Sequence, residues 1–414
     1  MKPRASSGGP PRNPYENPEL FRFVGSMEGV PDWADPAETP DESAARRGWR
    51  ARGHVWLEMG GQLMPGLTLA GLLAAVGSRV AGSLGDALGI GGAPISPILV
   101  AILLGLAIRN TVGLPSVFEL GLHLCLKRLL RLGVALLGIR LSLGAVGAIG
   151  WGALPIVLAS IVTALVFVTW VGKRVGLPPR LATLIAVGTA ICGNTAIVAT
   201  GPVIGADEDE TSYAVGCITA FGLLALVVHP FIAHGLFGGD PRLAGYFLGT
   251  AIHDTAQVAG AGLLYVQQFG TPETLDVATV TKLLRNVFMV AVIPLMAVLH
   301  QRGRPEGSGA TLLALRDAVP FFVLGFVAMA LLRTLGDVGE APFGGLLSRE
   351  GWQSAIDFTS DASSWLLAIA MAAVGLGTHL GRLRKLGMKP LLVGLIAALT
   401  VGSVSAGLLL AGAR

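Results

Sequence analysis

The sequence predicts an all-α membrane protein of about eleven transmembrane helices, and three observations carry that reading. Residues of the AVILMFWYC class make up 52% of the 414, 58 glycines join them, and charged residues reach only 14%. Soluble domains carry about 25% charge, so this chain has too few charges to cover a water-exposed surface and too much apolar side chain to stay disordered. The apolar stretches also run unbroken for about 20 residues, the length that crosses a bilayer core. Strands of a membrane barrel would instead alternate apolar and polar over about ten residues. Finally, the charges collect between the stretches.

Residues 1–60 are polar and hold Arg46, Arg47, Arg50 and Arg52. No apolar run follows the N-terminus as in a signal peptide, so this part reads as a disordered cytoplasmic tail. Residues 61–414 read as a transmembrane transporter domain with eleven apolar segments: 63–86, 94–113, 118–147, 151–172, 180–204, 208–236, 243–268, 277–300, 310–335, 357–381 and 388–412. If every segment crosses, one set of loops holds Lys173, Arg174, Arg180, Arg242, Arg302, Arg304, Arg382, Arg384, Lys385 and Lys389. The opposite set holds Asp207, Glu208, Asp209, Glu210, Glu273 and Asp276. The positive-inside rule then places the N-terminus in the cytoplasm. Cys125, Cys192 and Cys217 lie inside apolar stretches, are odd in number and show no metal-type spacing, so neither a disulfide framework nor a metal site is expected.

Two segments look interrupted. Segment five, LATLIAVGTAICGNTAIVATGPVIGA, places Gly193, Asn194 and Thr195 near mid-bilayer, and segment ten, SSWLLAIAMAAVGLGTHLG, groups Gly375, Gly377 and Thr378. Small and polar residues at one level mark either a helix that unwinds and restarts or close helix packing. With the first segment set aside, the remaining ten split into two halves in which five and ten correspond and run oppositely. That predicts inverted five-helix repeats with two discontinuous crossing helices, a sequence pointer to a transport site. The strings GTAICGNTAIVA at 188–199 and GTAIHDTAQVA at 249–259 also echo each other. The crossing topology runs them in the same direction, which excludes them as an inverted pair.

Few ionisable groups fall within the apolar segments, and each is costly there without a role or partner. His253 and Asp254 are adjacent in segment seven, with Gln257 one turn on; they suit proton or ion coupling or a mutually satisfied buried pair. Lys282 and Arg285 share a face of segment eight and suit an anion or snorkelling to the interface. A helix restarting at Asn194 would aim N–H groups and a positive dipole end into the break. Phosphate loops, HExxH, GxSxG and paired-carboxylate patterns do not occur, so neither an enzyme nor a cofactor is expected.

The strings GTAICGNTAIVATGPVIGADEDE, AIHDTAQVAGAG, KLLR and MAAVGLGTHLGRLRKLGMKP resemble the YeiH-type family of bacterial sulfate exporters over about residues 63–413. The resemblance implies a multi-pass inner-membrane protein, related in fold to sodium/proton antiporters and bile-acid-type symporters, that handles sulfate or sulfonate compounds. The sequence thus predicts a secondary transporter exporting a small anion, with H+ or Na+ as coupling ion and the lipid bilayer as its surroundings. Nucleic acid is not expected as a partner, and a homo-oligomer is compatible with the sequence. A cation/proton antiporter and a membrane sensor that moves no solute are the alternatives.

Overall fold

Proline and glycine punctuation sets the helix boundaries of this chain. In the computed structural model, the described residues are 49–87, 96–300, 321–338, 342–379, 381 and 387–412. Among them every regular element is helical. In chain order these are α1 (Trp49–Ala87), α2 (Pro97–Thr111), α3 (Glu119–Leu124), α4 (Leu130–Leu137), α5 (Leu143–Thr163), α6 (Thr169–Val175), α7 (Pro179–Ala190) and α8 (Asn194–Ile204). Then come α9 (Glu208–Phe237), α10 (Pro241–Ala251), α11 (Thr255–Phe269), α12 (Pro272–Val287), α13 (Met289–His300), α14 (Phe321–Gly336), α15 (Arg349–Gly377) and α16 (Met388–Gly412). Single π-helical turns join α3 to α4 and α5 to α6. Helix α1 begins at Trp49, within the stretch read as a tail; the residues before it, and the basic residues at 302, 304, 382, 384 and 385, lie outside the described set.

Six helical stretches among the described residues are long and apolar enough to cross a membrane: Gly61–Leu84, Leu143–Val175, Glu208–Phe237, Pro272–His300, Arg349–Gly377 and Met388–Gly412. Large apolar side chains such as Leu72, Val162, Val166, Leu224, Val298 and Leu399 point outward from these stretches, as a lipid-facing surface requires. The protein is a multi-pass membrane protein.

Segments five and seven do not cross. Each folds back as a hairpin, and neighbouring side chains show it. Hairpin 1 is α7–α8. Its first residues meet its last, with the Arg180 guanidinium 3.8 Å from where a Gly205 Cβ would sit. Its deep residues also meet each other, since a Cβ on Gly188 would lie 2.6 Å from Ile197 Cδ1. Hairpin 2 is α10–α11. Its α11 arm runs beside α9 in the same direction, with Gln257 against Gly222 and Phe269 stacked on His234 at 3.8 Å. Each arm has 11 to 15 residues, so at 1.5 Å per residue it reaches only about half of a 30 Å core.

The two hairpins enter from opposite faces. Hairpin 1 opens beside Glu208 and His300, where Thr183 Oγ1 lies 3.2 Å from His300 Nε2. Hairpin 2 opens at the other end of α12–α13, where Arg242 and Glu273 pair at 2.6 Å. That ion pair corrects the charge topology, which put Arg242 and Glu273 on opposite sides. Asp207 likewise moves to the face of Arg180. Removing two crossings leaves the relative sides of the remaining loops unchanged.

Segment ten is the second correction. Helix α15 is continuous to Gly377, so the five-plus-five pairing of segments five and ten does not hold. Gly375 serves contact with α2: a Cβ on it would lie 2.4 Å from the Ile102 carbonyl oxygen. Small residues let helix backbones approach this closely. Thr378 ends the helix, its hydroxyl donating to the Val374 carbonyl at 2.7 Å and its carbonyl accepting from Asn110 at 3.0 Å.

The buried core divides around the hairpins. One cluster surrounds hairpin 1 with Leu184, Ile185, Ile191, Ile197 and Ile218. The second surrounds hairpin 2 with Leu248, Ile252, Leu264, Tyr265 and Phe326.

Candidate functional site

Matched local signals build the two hairpins. Each first arm starts with proline at its first turn, Pro179 and Pro241, where the missing N–H costs nothing. Each second arm ends on a left-handed glycine, Gly205 and Gly270, which closes orphan carbonyls. Between the arms, the chain leaves helical geometry at Ile191–Gly193 and at Ile252–Asp254. Gly193 has φ +78° and ψ −121°, a region open essentially to glycine alone.

At each tip one helix ends and another begins, in the middle of the membrane-spanning bundle. The ending helices expose carbonyls that need donors, and α12 supplies them. Lys282 donates from Nζ to the carbonyls of Ile191 at 2.8 Å and Ile252 at 3.0 Å, and to that of His253. Arg285 donates to the carbonyls of Ala190 and Thr250, both at 2.6 Å, and to that of Thr189. The echoing strings pair Thr189 with Thr250 and Ile191 with Ile252. Equivalent carbonyls of the two hairpins thus share one cation each. Both cations are fully buried, and both lie at negative helix ends, where positive charge is favoured.

The sequence placed Lys282 and Arg285 either at the interface or facing a solute. They point inward, but their donors hold the hairpin tips. They set the local potential and position the tips.

The beginning helices differ from one another. Helix α11 is capped by Asp254, whose Oδ1 accepts from the Ala256 N–H at 2.8 Å. Helix α8 starts at Gly193 with no side-chain cap of its own. The carboxylate of Asp254 reaches across to it: Oδ2 lies 2.9 Å from the position of a Gly193 Cβ, and the Asn194 N–H faces the same group. A second layer repeats the symmetry. Asn194 donates from Nδ2 to Thr219 Oγ1 on α9 at 3.1 Å, and Asn286 on α12 donates to Thr255 Oγ1 at 3.1 Å.

The structure therefore brings together Gly193, Asn194, Thr195, His253, Asp254, Gln257, Lys282 and Arg285. It leaves Gly375 and Thr378 in the contact of α15 with α2, and Gly377 beside Leu126 of the turn between α3 and α4, outside this cluster. Thr219, Thr255 and Asn286 join it. The 188–199 and 249–259 echo was the available signal for the pairing; the topology overruled it only because each string was assumed to cross.

Several buried polar atoms here lack a hydrogen-bond partner: both ring nitrogens of His253, Gln257 Oε1 and Asn286 Oδ1. Their residues are 0%, 4% and 1% exposed. Unpaired buried polar groups are costly and call for an explanation; a polar solute is one. Among the described residues no group of His, Cys, Asp and Glu is arranged to hold a metal ion.

The family model described as conserved hypothetical protein 698 matches residues 65–394. The chain is 36% identical to UPF0324 membrane protein TauZ of Paracoccus pantotrophus, covering 85% of this chain and 96% of that protein. It is 33% identical to UPF0324 membrane protein Atu0671 of Agrobacterium fabrum, over 77% and 85% of the two chains. It is 30% identical to UPF0324 inner membrane protein YeiH of Salmonella typhi, over 80% and 89%. The matched span takes in both hairpins and the α12 cations between them, and the chain belongs to this family of UPF0324 membrane proteins that includes YeiH.

Proposed function

We propose that this protein is a secondary transporter that moves a small anion, such as sulfate or an organosulfonate, across the bacterial inner membrane. The observation that carries the reading is the meeting of two oppositely entering hairpin tips at mid-depth, with unpaired polar atoms around them. Irregular backbone at that depth is tolerated where it borders a polar cavity or protein, and paired helix breaks in inverted units are where transporters bind solute. Sign of charge favours an anion. Two buried cations and one carboxylate lie at the tips, and the starts of α8 and α11 add the positive ends of two helix dipoles.

In this mechanism the solute sits between Asn194 and Thr195 of hairpin 1 and Thr255 and Gln257 of hairpin 2. Movement of the hairpin pair, together with the α9 and α12 helices bonded to its tips, against the remaining helices then opens the site to one face at a time. The basic loops support a cytoplasmic N-terminus. Labelled sulfate and ethanesulfonate, offered to reconstituted proteoliposomes with and without a membrane potential, test the reading. Flux that falls at least tenfold in Asn194→Leu, with the protein still folded, supports it. Sodium or proton flux without anion flux would favour a cation/proton antiporter using Asp254, and no flux of any ion a sensor.

A further inference from the structure

Both restarting helices aim their first N–H groups at a single carboxylate. Asp254 caps α11 through the Ala256 N–H at 2.8 Å and faces the Asn194 N–H at the start of α8. It is 6% exposed. The ion pairs of Asp276, Glu273 and Asp337 do not involve Asp254, whose carboxylate accepts from a backbone N–H instead. Lys282 from α12 and Arg131 from α4 lie within electrostatic reach of it. The Cys192 thiol of hairpin 1 lies within reach of Asp254 as well, and the His253 imidazole of its own tip lies near Lys282, Arg285 and His229 of α9. Lys282 and Arg285 spend their donors on the tip carbonyls.

A carboxylate cradled by two helix starts occupies the position an oxyanion would take. Unpartnered polar atoms lie on the same tip and on α12 beside it. A neutral imidazole carries one N–H donor, and neither nitrogen of the fully buried His253 has a partner. Asn286, bonded to Thr255 at the start of α11, presents an unpaired Oδ1 there.

We propose that Asp254 is a resident surrogate for the substrate anion: the substrate takes over the N–H groups at Asn194 and Ala256, and the displaced carboxylate takes up one proton. This deepens the anion-transport reading above and rests on it. The step balances simply. One proton from the aqueous face joins one Asp254 oxygen as the anion arrives, and it leaves when the anion leaves and the carboxylate recaps both helices. Proton and anion travel in the same direction. For a dianion the pair still carries one negative charge, which an inside-negative potential drives outward.

The test uses the purified full-length protein in lightly buffered detergent solution. Sodium sulfate or sodium ethanesulfonate is added between pH 5 and 8, with calorimetric binding and proton uptake recorded together. The expected result is about one proton taken up per anion bound, with affinity strengthening up to tenfold for each unit the pH falls. Asp254→Asn keeps a capping side chain but cannot titrate. It should bind with pH-independent affinity, release or take up no proton, and lose anion accumulation driven by a pH gradient. Anion binding by the wild-type protein without proton uptake overturns the proposal, as does Asp254→Asn with an unchanged pH dependence. Should Asp254→Asn fail to fold, the wild-type proton count alone decides. No anion binding at any pH overturns the transport reading as well, and so separates the two failures.

Discussion

At the residue scale, Arg285 and Gly193 make the sharpest demands. Arg285 serves carbonyls from both hairpins, so it ties two elements that enter from opposite faces. Arg285→Ala would orphan those carbonyls, each at about 1–3 kcal/mol. A loss of about 3–5 kcal/mol is expected, on the scale of breaking a buried charge network. Thermal melting in detergent checks it; an unchanged melting temperature would show that the cation does not hold the tips. Gly193 is constrained twice, by φ +78° and by Asp254 Oδ2 at 2.9 Å from its Cβ position. Gly193→Ala should cost about 1–3 kcal/mol in backbone strain alone and abolish anion flux through the displaced tip. Flux within twofold of wild type in reconstituted vesicles would count against Gly193 forming the site. Outside the membrane-spanning stretches, Asp337 shows the ordinary balance of terms. Partial burial pushes its carboxyl up, but donation from Arg333 and Trp352 outweighs this and holds it below the usual carboxylate range. Its small contribution to stability is present above the usual carboxylate pKa and is lost as pH falls through the depressed value.

At the element scale, the question is whether a stretch of about 25 apolar residues crosses or returns. Hydropathy answers identically for both, because each arm is apolar in either case. The ends decide. Arg242 and Glu273 form an exposed pair at 2.6 Å, whereas a crossing segment seven would hold them about 30 Å apart. Arg242→Cys combined with Glu273→Cys should cross-link with a short bifunctional thiol reagent, which spans what the two replaced side chains spanned. The native Cys125, Cys192 and Cys217 are buried and should stay unreactive. Quantitative failure of the pair to cross-link, with each single cysteine readily labelled, would restore the crossing arrangement. The same scale explains the misreading of α15. A glycine within a helix, here Gly375, permits close approach to α2, and in sequence this looks the same as an unwound turn.

For the whole molecule, two returning hairpins change which loops share a face. Asp207 lies beside Arg180 and the His300 end, while Glu273 lies at the opposite end of α12–α13. A membrane-impermeant thiol reagent should therefore label Asp207→Cys and Glu273→Cys from opposite sides of sealed vesicles. Labelling of both from one side would sink the inverted arrangement, and with it the meeting of the tips. The first and last described spans keep their relative sense under either scheme, since two hairpins remove two crossings.

Composition and run length alone fix the class of molecule and its apolar stretches, and the small and polar residues around Gly193 mark an interruption in segment five. Composition and run length act locally and leave a chain like this no other solvent. The sequence also contains the repeated GTAI strings and the cations that join them, as residues without an arrangement. The folded contacts alone settle that segments five and seven return, that Lys282 and Arg285 bond to backbone carbonyls, and that Asp254 caps α11 while facing the start of α8. The physical reason is that each of these facts joins separate elements, through partners as far as 95 residues apart. Local hydropathy takes the same value whichever partner the chain meets, so the choice between crossing and returning is fixed by contacts that form only when the bundle closes.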